Sequence, residues 1–165
     1  MSTSIYGFVE VKLFDNGLDD WYSVIDTGAV LIGNYDFFGC LFGIRNPSNF
    51  EPLFANRGIP EDCCDEIKQD FQNGGFLEPT WCTYKELLNI NFDEKALAPD
   101  SRVLQNYNGV IVKGYPNNDA ERAQAKIMTR GEALDEPGYK LLLSLMQVLA
   151  SRYGDSNVRW IAYFD

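Results

Sequence analysis

The chain has 165 residues, a length suited to one domain, and 45% apolar against 23% charged residues, an ordinary globular balance and not the profile of disorder. A formal charge of −10 disfavours binding to nucleic-acid phosphates or anionic lipid and leaves the acids two uses, solubility or a basic protein partner. With no histidine, Ser-His-Asp and Cys-His catalysis, histidine metal sites and histidine proton shuttles are all excluded.

In chain order, residues 5–14, "IYGFVEVKLF", alternate with period two. Ile5, Gly7, Val9, Val11 and Leu13 share a dry face, and Tyr6, Phe8, Glu10, Lys12 and Phe14 a mixed one. This predicts an N-terminal strand. "DNG" at 15–17 is a turn signal, and "WYSVID" at 21–26 is its expected hairpin partner, with Asp19-Asp20 read as turn acids. No leader and no run of 18 apolar residues stands out, so a protein that neither spans a membrane nor is secreted is expected.

Asn34 is the expected N-cap of a helix over 35–44, with Phe37, Phe38, Leu41 and Ile44 at helical spacing and Pro47 ending it. An irregular stretch runs to Pro60. "PEDCCDEIKQDF" then reads as a helix with Pro60 and acids in its first turn and Cys64, Ile67 and Phe71 as its buried stripe. "QNGGF" reads as a loop, and "TYKE" at 83–86 has the form of a capping box. Residues 92–136 carry weaker signals: a short strand in "NGVIVKGY", a helix in "DAERAQAKIM", and loop elsewhere. "EPGYKLLLSLMQVLASRYG" is the strongest helix, with Leu141, Leu142, Leu145, Val148 and Leu149 expected as its core stripe. "NVRWIAYF" at 157–164 closes the chain as a strand, apolar on both faces except for Arg159 and therefore expected at the centre of a sheet. The expected fold is α+β, a single domain over 1–165 with a small, mostly antiparallel sheet that includes both terminal strands and is packed by several helices.

The stretch "NYDFFGCLFGIRNPSNFEPLFANRGIPED", residues 34–62, interleaves aromatics with the pairs Arg45-Asn46 and Asn56-Arg57. Guanidinium forks grip phosphate oxygens and stack on flat rings, and Gly58 would let backbone amides approach an anion. The competing expectation is structural: each arginine satisfies loop carbonyls or pairs with Asp36, Glu51 or Glu61. The acids Glu61, Asp62, Asp65 and Glu66 lack an EF-hand pattern and read as a solvated helix face, not a metal site. No GxGxxG or P-loop is present. Trp21, Trp81 and Trp160 read as core or interface anchors. Cys40, Cys63, Cys64 and Cys82 form no CxxC pair and are expected as reduced thiols in a cytosol. Cys63, at an expected helix start, is a candidate for a lowered pKa, with no histidine to serve it as base. No cofactor is implied.

The segments "NYDFFGCLFGIRN", "EPLFANRGIPED", "WCTYKELL" and "VRWIAYFD" together resemble a family of small proteins of tailed phages and some bacteria. That family carries an Asn-Tyr-Asp-aromatic helix ending in Val-Arg-Asn, a Pro-Arg-Gly-Leu-Pro loop, a Trp-Leu-Thr helix start and a closing strand rich in Val, Arg and Phe. The matching positions are Tyr35, Asp36, Phe38, Arg45, Asn46, Arg57, Gly58, Pro60, Trp81, Thr83, Glu86, Leu87 and Arg159, and residues 92–136 are not covered. Where relatives carry Gly-His-Ser-His before the Trp, this chain reads "GGFLEPTW", so nothing resting on those histidines transfers. The resemblance implies phage origin, action in the host cytoplasm and, as a class of function, counter-defence. Two mechanisms fit. In the first, a non-catalytic sponge sequesters a nucleotide-derived immune signal at Tyr35, Asp36, Arg45, Asn46, Asn56, Arg57, Gly58 and Trp81, working as a homo-oligomer. In the second, the acidic protein inhibits a host defence protein by direct binding or nucleic-acid mimicry. A carboxylate- and metal-dependent hydrolase ranks third.

Overall fold

The structure is a computed structural model that describes residues 2–15, 18–100, 104–107, 110–113 and 127–165. It is α+β, with the N- and C-terminal strands in one antiparallel sheet, and it resolves into two compact units. The first comprises residues 1–33, 54–90 and 136–165, and the second residues 34–53 and 91–135.

The first unit is built on a four-stranded sheet of β1 (Ile5–Asp15), β2 (Leu18–Asp26), β3 (Leu77–Thr83) and β4 (Val158–Phe164), in the order β2-β1-β4-β3. The closing strand lies between two neighbours and is buried along its whole length, as its two apolar faces require. Pairing sets Val9 opposite Trp160, Glu10 opposite Arg159 and Phe8 opposite Ile161, so the mixed face of β1 continues into Arg159, Ile161 and Tyr163. Gly7 takes φ 137°, and a Cβ there would lie 1.9 Å from the Ile161 carbonyl oxygen, which only glycine avoids.

Ile67 of α2 (Asp65–Gly74), with Cys63, packs on the mixed face against Ile161 and Tyr163, joined by Phe71, Phe76 and Trp81. On the dry face lies the C-terminal helix, Pro137–Tyr153, which packs on β1 and β4. Its N-cap is Glu136, whose carboxylate accepts from the Tyr139 amide, and Gly154 closes it. Its buried residues are Gly138, Tyr139, Leu142, Met146 and Ala150, whereas Leu141 and Val148 are 51% and 69% exposed. The expected stripe is thus rotated, with Leu142 retained: apolar residues extend beyond the packed side as far as the polar row of Lys140, Ser144, Gln147 and Ser151, and the small and aromatic residues pick the packed side.

Three further boundaries differ from expectation. Residues 60–63 form a turn, and the helix starts only at Asp65, because the Cys64 amide donates to the Glu10 carboxylate and holds Cys64 extended. That helix runs through Asn73-Gly74 and is capped by Gly75 at φ 65°, where a loop was expected from Gln72. Asp19 and Asp20 lie within β2, not in a turn. Strand β3 was unforeseen, since Pro79 argues against a strand and Glu78 sits at φ 49°. Proline is tolerated because β3 is an edge, with a register break between Leu77 and Thr80. The expected capping box follows it: Thr83 and Glu86 satisfy each other's amides at the start of α3 (Tyr84–Leu88).

In the second unit, Asn34 caps α1 (Tyr35–Phe42) by accepting from the Asp36 and Phe37 amides. The helix ends at Phe42, two residues earlier than expected, since Gly43, left-handed at φ 79°, terminates it before Pro47 can. A two-stranded ladder pairs Leu104–Tyr107 with Val110–Lys113, which contains the expected short strand. A second capping box, Thr129 with Glu132, opens α4 (Arg130–Ala133), a stretch expected as loop. The expected helix of "DAERAQAKIM" lies outside the described residues except for Ile127 and Met128, which are not helical.

Candidate functional site

On the mixed face of the sheet in the first unit, guanidinium groups and aromatic rings alternate. The Arg159 guanidinium carbon stands 3.7 Å from the Trp21 ring centroid and 5.8 Å from that of Trp81. The Arg57 carbon stands 5.4 Å from Trp81 and 5.0 Å from Phe54. The order Trp21, Arg159, Trp81, Arg57, Phe54 is a ladder in which each cation meets two ring faces. Strands β2, β4 and β3 supply its first three members, and the irregular segment preceding Gly58 the last two.

Carboxylates neutralise both cations. Arg159 Nε donates to Glu10 at 2.7 Å, and its Nη1 donates to Asp62 at 2.8 Å. Glu10 is fully buried, while Asp62 reaches the surface and accepts a second bond, 2.9 Å, from Trp21 Nε1. Burial pulls the Asp62 carboxyl upward, but Arg159 and Trp21 outweigh it and hold the group below its ordinary value. Arg57 Nη1 donates to both oxygens of Glu86, at 2.9 and 3.1 Å, and to the Trp81 carbonyl at 3.2 Å. Burial likewise opposes ionisation of Glu86, and bonds from the Thr83 amide and Arg57 overcome it, leaving its carboxyl below the usual range. The Gly58 amide donates to the Pro79 carbonyl at 3.0 Å, so that amide is committed to the fold and does not face an anion. Arg57 and Gly58 thereby cover the outer edge of β3.

The expected site residues divide between the units. Asn56, Arg57, Gly58 and Trp81 belong to the first, where Arg57 and Trp81 stack and Asn56 is exposed at φ 58°. Tyr35, Asp36, Arg45 and Asn46 belong to the second. There Asn46 bridges the Phe50 backbone, donating to its carbonyl at 2.7 Å and accepting from its amide at 3.0 Å. Asp36 accepts from Ser48 at 2.6 Å, Tyr35 packs near Phe38, and Arg45 is exposed at φ 45°. Arg57 does pair with a carboxylate, though with Glu86 and not with the acids nearest to it in sequence.

Two arginines matter more than expected. Arg159, the one charged residue in an apolar strand, stands between the two tryptophans of the ladder, and that isolation was the signal. Arg130 of the second unit is 1% exposed and donates to Glu94 at 2.6 Å, the Cys40 carbonyl at 2.9 Å and the Glu51 carbonyl at 2.7 Å. Its side chain ties α1 to the segments around it, and the Ser/Thr-x-x-Glu pattern of "TRGE" was the readable cue.

Nucleophilic chemistry finds little support in the thiols. Cys40, Cys63 and Cys82 are buried, and all four cysteines are free. Burial, with the Glu10 charge adding to it, pushes the Cys63 thiol up to about 11, the reverse of the lowering expected at a helix start. The helix begins beyond it, so no helix dipole offsets the burial. Among the described residues, no group of three Cys, Asp or Glu side chains is placed to share a metal ion, and no helix is long and apolar enough to cross a membrane.

Comparison of this chain with family models, curated proteins and solved structures finds no match.

Proposed function

We propose that the protein acts by binding a basic protein partner through its acidic surface, without chemistry of its own. The observation that carries this is the contrast within the first unit. Its ladder cations, Arg57 and Arg159, are each neutralised internally, while Asp20, Glu61 and Glu66 are exposed, as are Asp19, Asp62 and Asp65, which pair with Lys12, Arg159 and Lys68. These acids are less scattered than their places in the sequence suggest, because the Trp21–Asp62 bond ties the Glu61-Asp62 turn to the strand carrying Asp19 and Asp20. In the phage setting that the motifs resemble, the partner is a host defence protein with a basic surface, and occupancy alone would block it. Chemical cross-linking of the protein in host lysate tests this. A basic protein should be captured by the native chain and lost from a variant carrying Asp19→Lys, Asp20→Lys and Glu61→Lys. Equal capture by both would overturn the reading.

A second reading, sequestration of a phosphate-bearing nucleotide, is favoured by one feature. Among the described residues Arg57 bonds its partners through Nη1 alone, and its ring-flanked side chain is 29% accessible, which would let a phosphate reach the guanidinium. Mass spectrometry of small molecules released by heating tests it. A nucleotide recovered with native protein but not with Arg57→Ala would support sequestration, and recovery of none would remove it.

A further inference from the structure

The two edges of the sheet in the first unit are treated differently. Strand β3 is a protected edge: it contains Pro79, a register break and Glu78 in a left-handed conformation, and Arg57 and Gly58 bond to its Trp81 and Pro79 carbonyls. Proline, breaks and covering segments are the usual means by which proteins prevent strand addition. Strand β2, at the other edge, has no proline and no lysine. Among the described residues, no third strand pairs with it. From Leu18 to Ser23 it keeps unbroken register with Asp15 to Glu10, and only at Val24 does a bulge interrupt it. Six residues of regular strand offer about 20 Å of edge, enough to pair an extended segment of similar length.

The side chains on this edge specify the segment's charge. Asp19, whose carboxylate lies 3.7 Å from the Lys12 ammonium, and Asp20 are exposed on opposite faces of β2, and Asp62, paired with Arg159, is fixed beside Trp21 with its side chain 62% exposed. Tyr22, 48% exposed, adds an apolar contact on the face of Asp20. We propose that the outer edge of β2 over Leu18–Ser23 is the docking site for an extended, lysine- or arginine-rich segment of the partner, added as a fifth strand. Main-chain bonds supply the pairing, and cations on alternate positions meet Asp19 and Asp62 on one face while the other face lies against Asp20 and Tyr22. A second copy of the chain fits worse, because two β2 edges would bring the Asp19-Asp20 pairs of both copies, four carboxylates, onto one short ladder. This inference rests on the acidic-surface reading above and specifies where and how the partner is held.

The test is isothermal calorimetry at low salt with the blocked hexapeptide Lys-Thr-Arg-Val-Lys-Thr and with the same peptide carrying proline in place of valine, which keeps the charge and removes a main-chain donor. The expected result is 1:1 binding of the first peptide, with at least a tenfold loss for the proline peptide. A similar loss is expected for the Asp19→Lys/Asp20→Lys variant, whose thermal unfolding verifies that it folds. Equal binding of both peptides would overturn edge pairing while leaving the acidic-surface reading intact. No binding of either, at any concentration up to the millimolar range, would count against that reading as well. Concentration-dependent dimerisation abolished by the Asp19→Lys/Asp20→Lys change would replace the basic segment with a second copy and so refute the assignment.

Discussion

Glu10 and Arg159 face each other on β1 and β4, with Glu10 fully buried and Arg159 3% exposed. A carboxylate so placed has no water to turn to when its partner is removed. Arg159→Met should therefore destabilise the protein by about 3–5 kcal/mol, whereas the joint change Glu10→Leu with Arg159→Met should recover most of that loss. Urea unfolding of the two variants checks this, and equal losses would show that the pair is not the stabilising unit. Acid sensitivity follows from the same cluster. Asp62 and Glu86 have folded values below their ordinary 3.8 and 4.5, so the stability they lend is complete above those values and is lost as pH falls through the depressed folded ones. Asp62→Asn should lower stability at neutral pH by less than about 1 kcal/mol, its side chain being 62% exposed, and should flatten the decline below pH 4. Denaturant titrations at pH 7 and pH 3 measure both effects. The thiols give a chemical check: with three of them buried and Cys63 held up near 11, iodoacetamide at neutral pH should label the folded protein slowly, and at Cys64 before the others.

Elements were legible where local chemistry and tertiary demand agree. The β1–β2 hairpin, the Asn34 cap, the Thr83–Glu86 box and the closing strand, apolar except for Arg159, each carry a pattern that tertiary packing has no reason to override. Failures came where a distant partner decides. The start of α2 is set by Glu10, more than fifty residues away, and β3 exists because β4 offers it an edge that tolerates Pro79. The rotation of the C-terminal helix is a third case, since Leu141 and Val148 look as core-like as Leu142 and Met146 until something packs. Met146→Ala should cost about 2–5 kcal/mol, and Val148→Ala no more than about 0.5 kcal/mol. Thermal or urea unfolding of this pair tests the helix orientation directly, and the opposite ranking would place the wrong face against the sheet.

At the scale of the molecule, the candidate residues of 34–62 looked like one site because they are close in sequence, yet they divide between two compact units. Within the first unit, the feature that organises the surface is assembled from four separated stretches around Arg159, Trp21, Trp81 and Arg57, and no local pattern announces such an arrangement. What sequence did expose was charge: a chain of net charge −10 without histidine. The sheet is protected at β3, while among the described residues no strand pairs with the outer edge of β2, along which Asp19 and Asp20 are exposed. The measurement that tests pairing at that edge most directly is amide hydrogen exchange of the native protein with and without the basic hexapeptide. Protection should rise along Leu18–Ser23 and remain unchanged in β3. Protection that rises elsewhere, or uniformly, would contradict a partner strand at this edge.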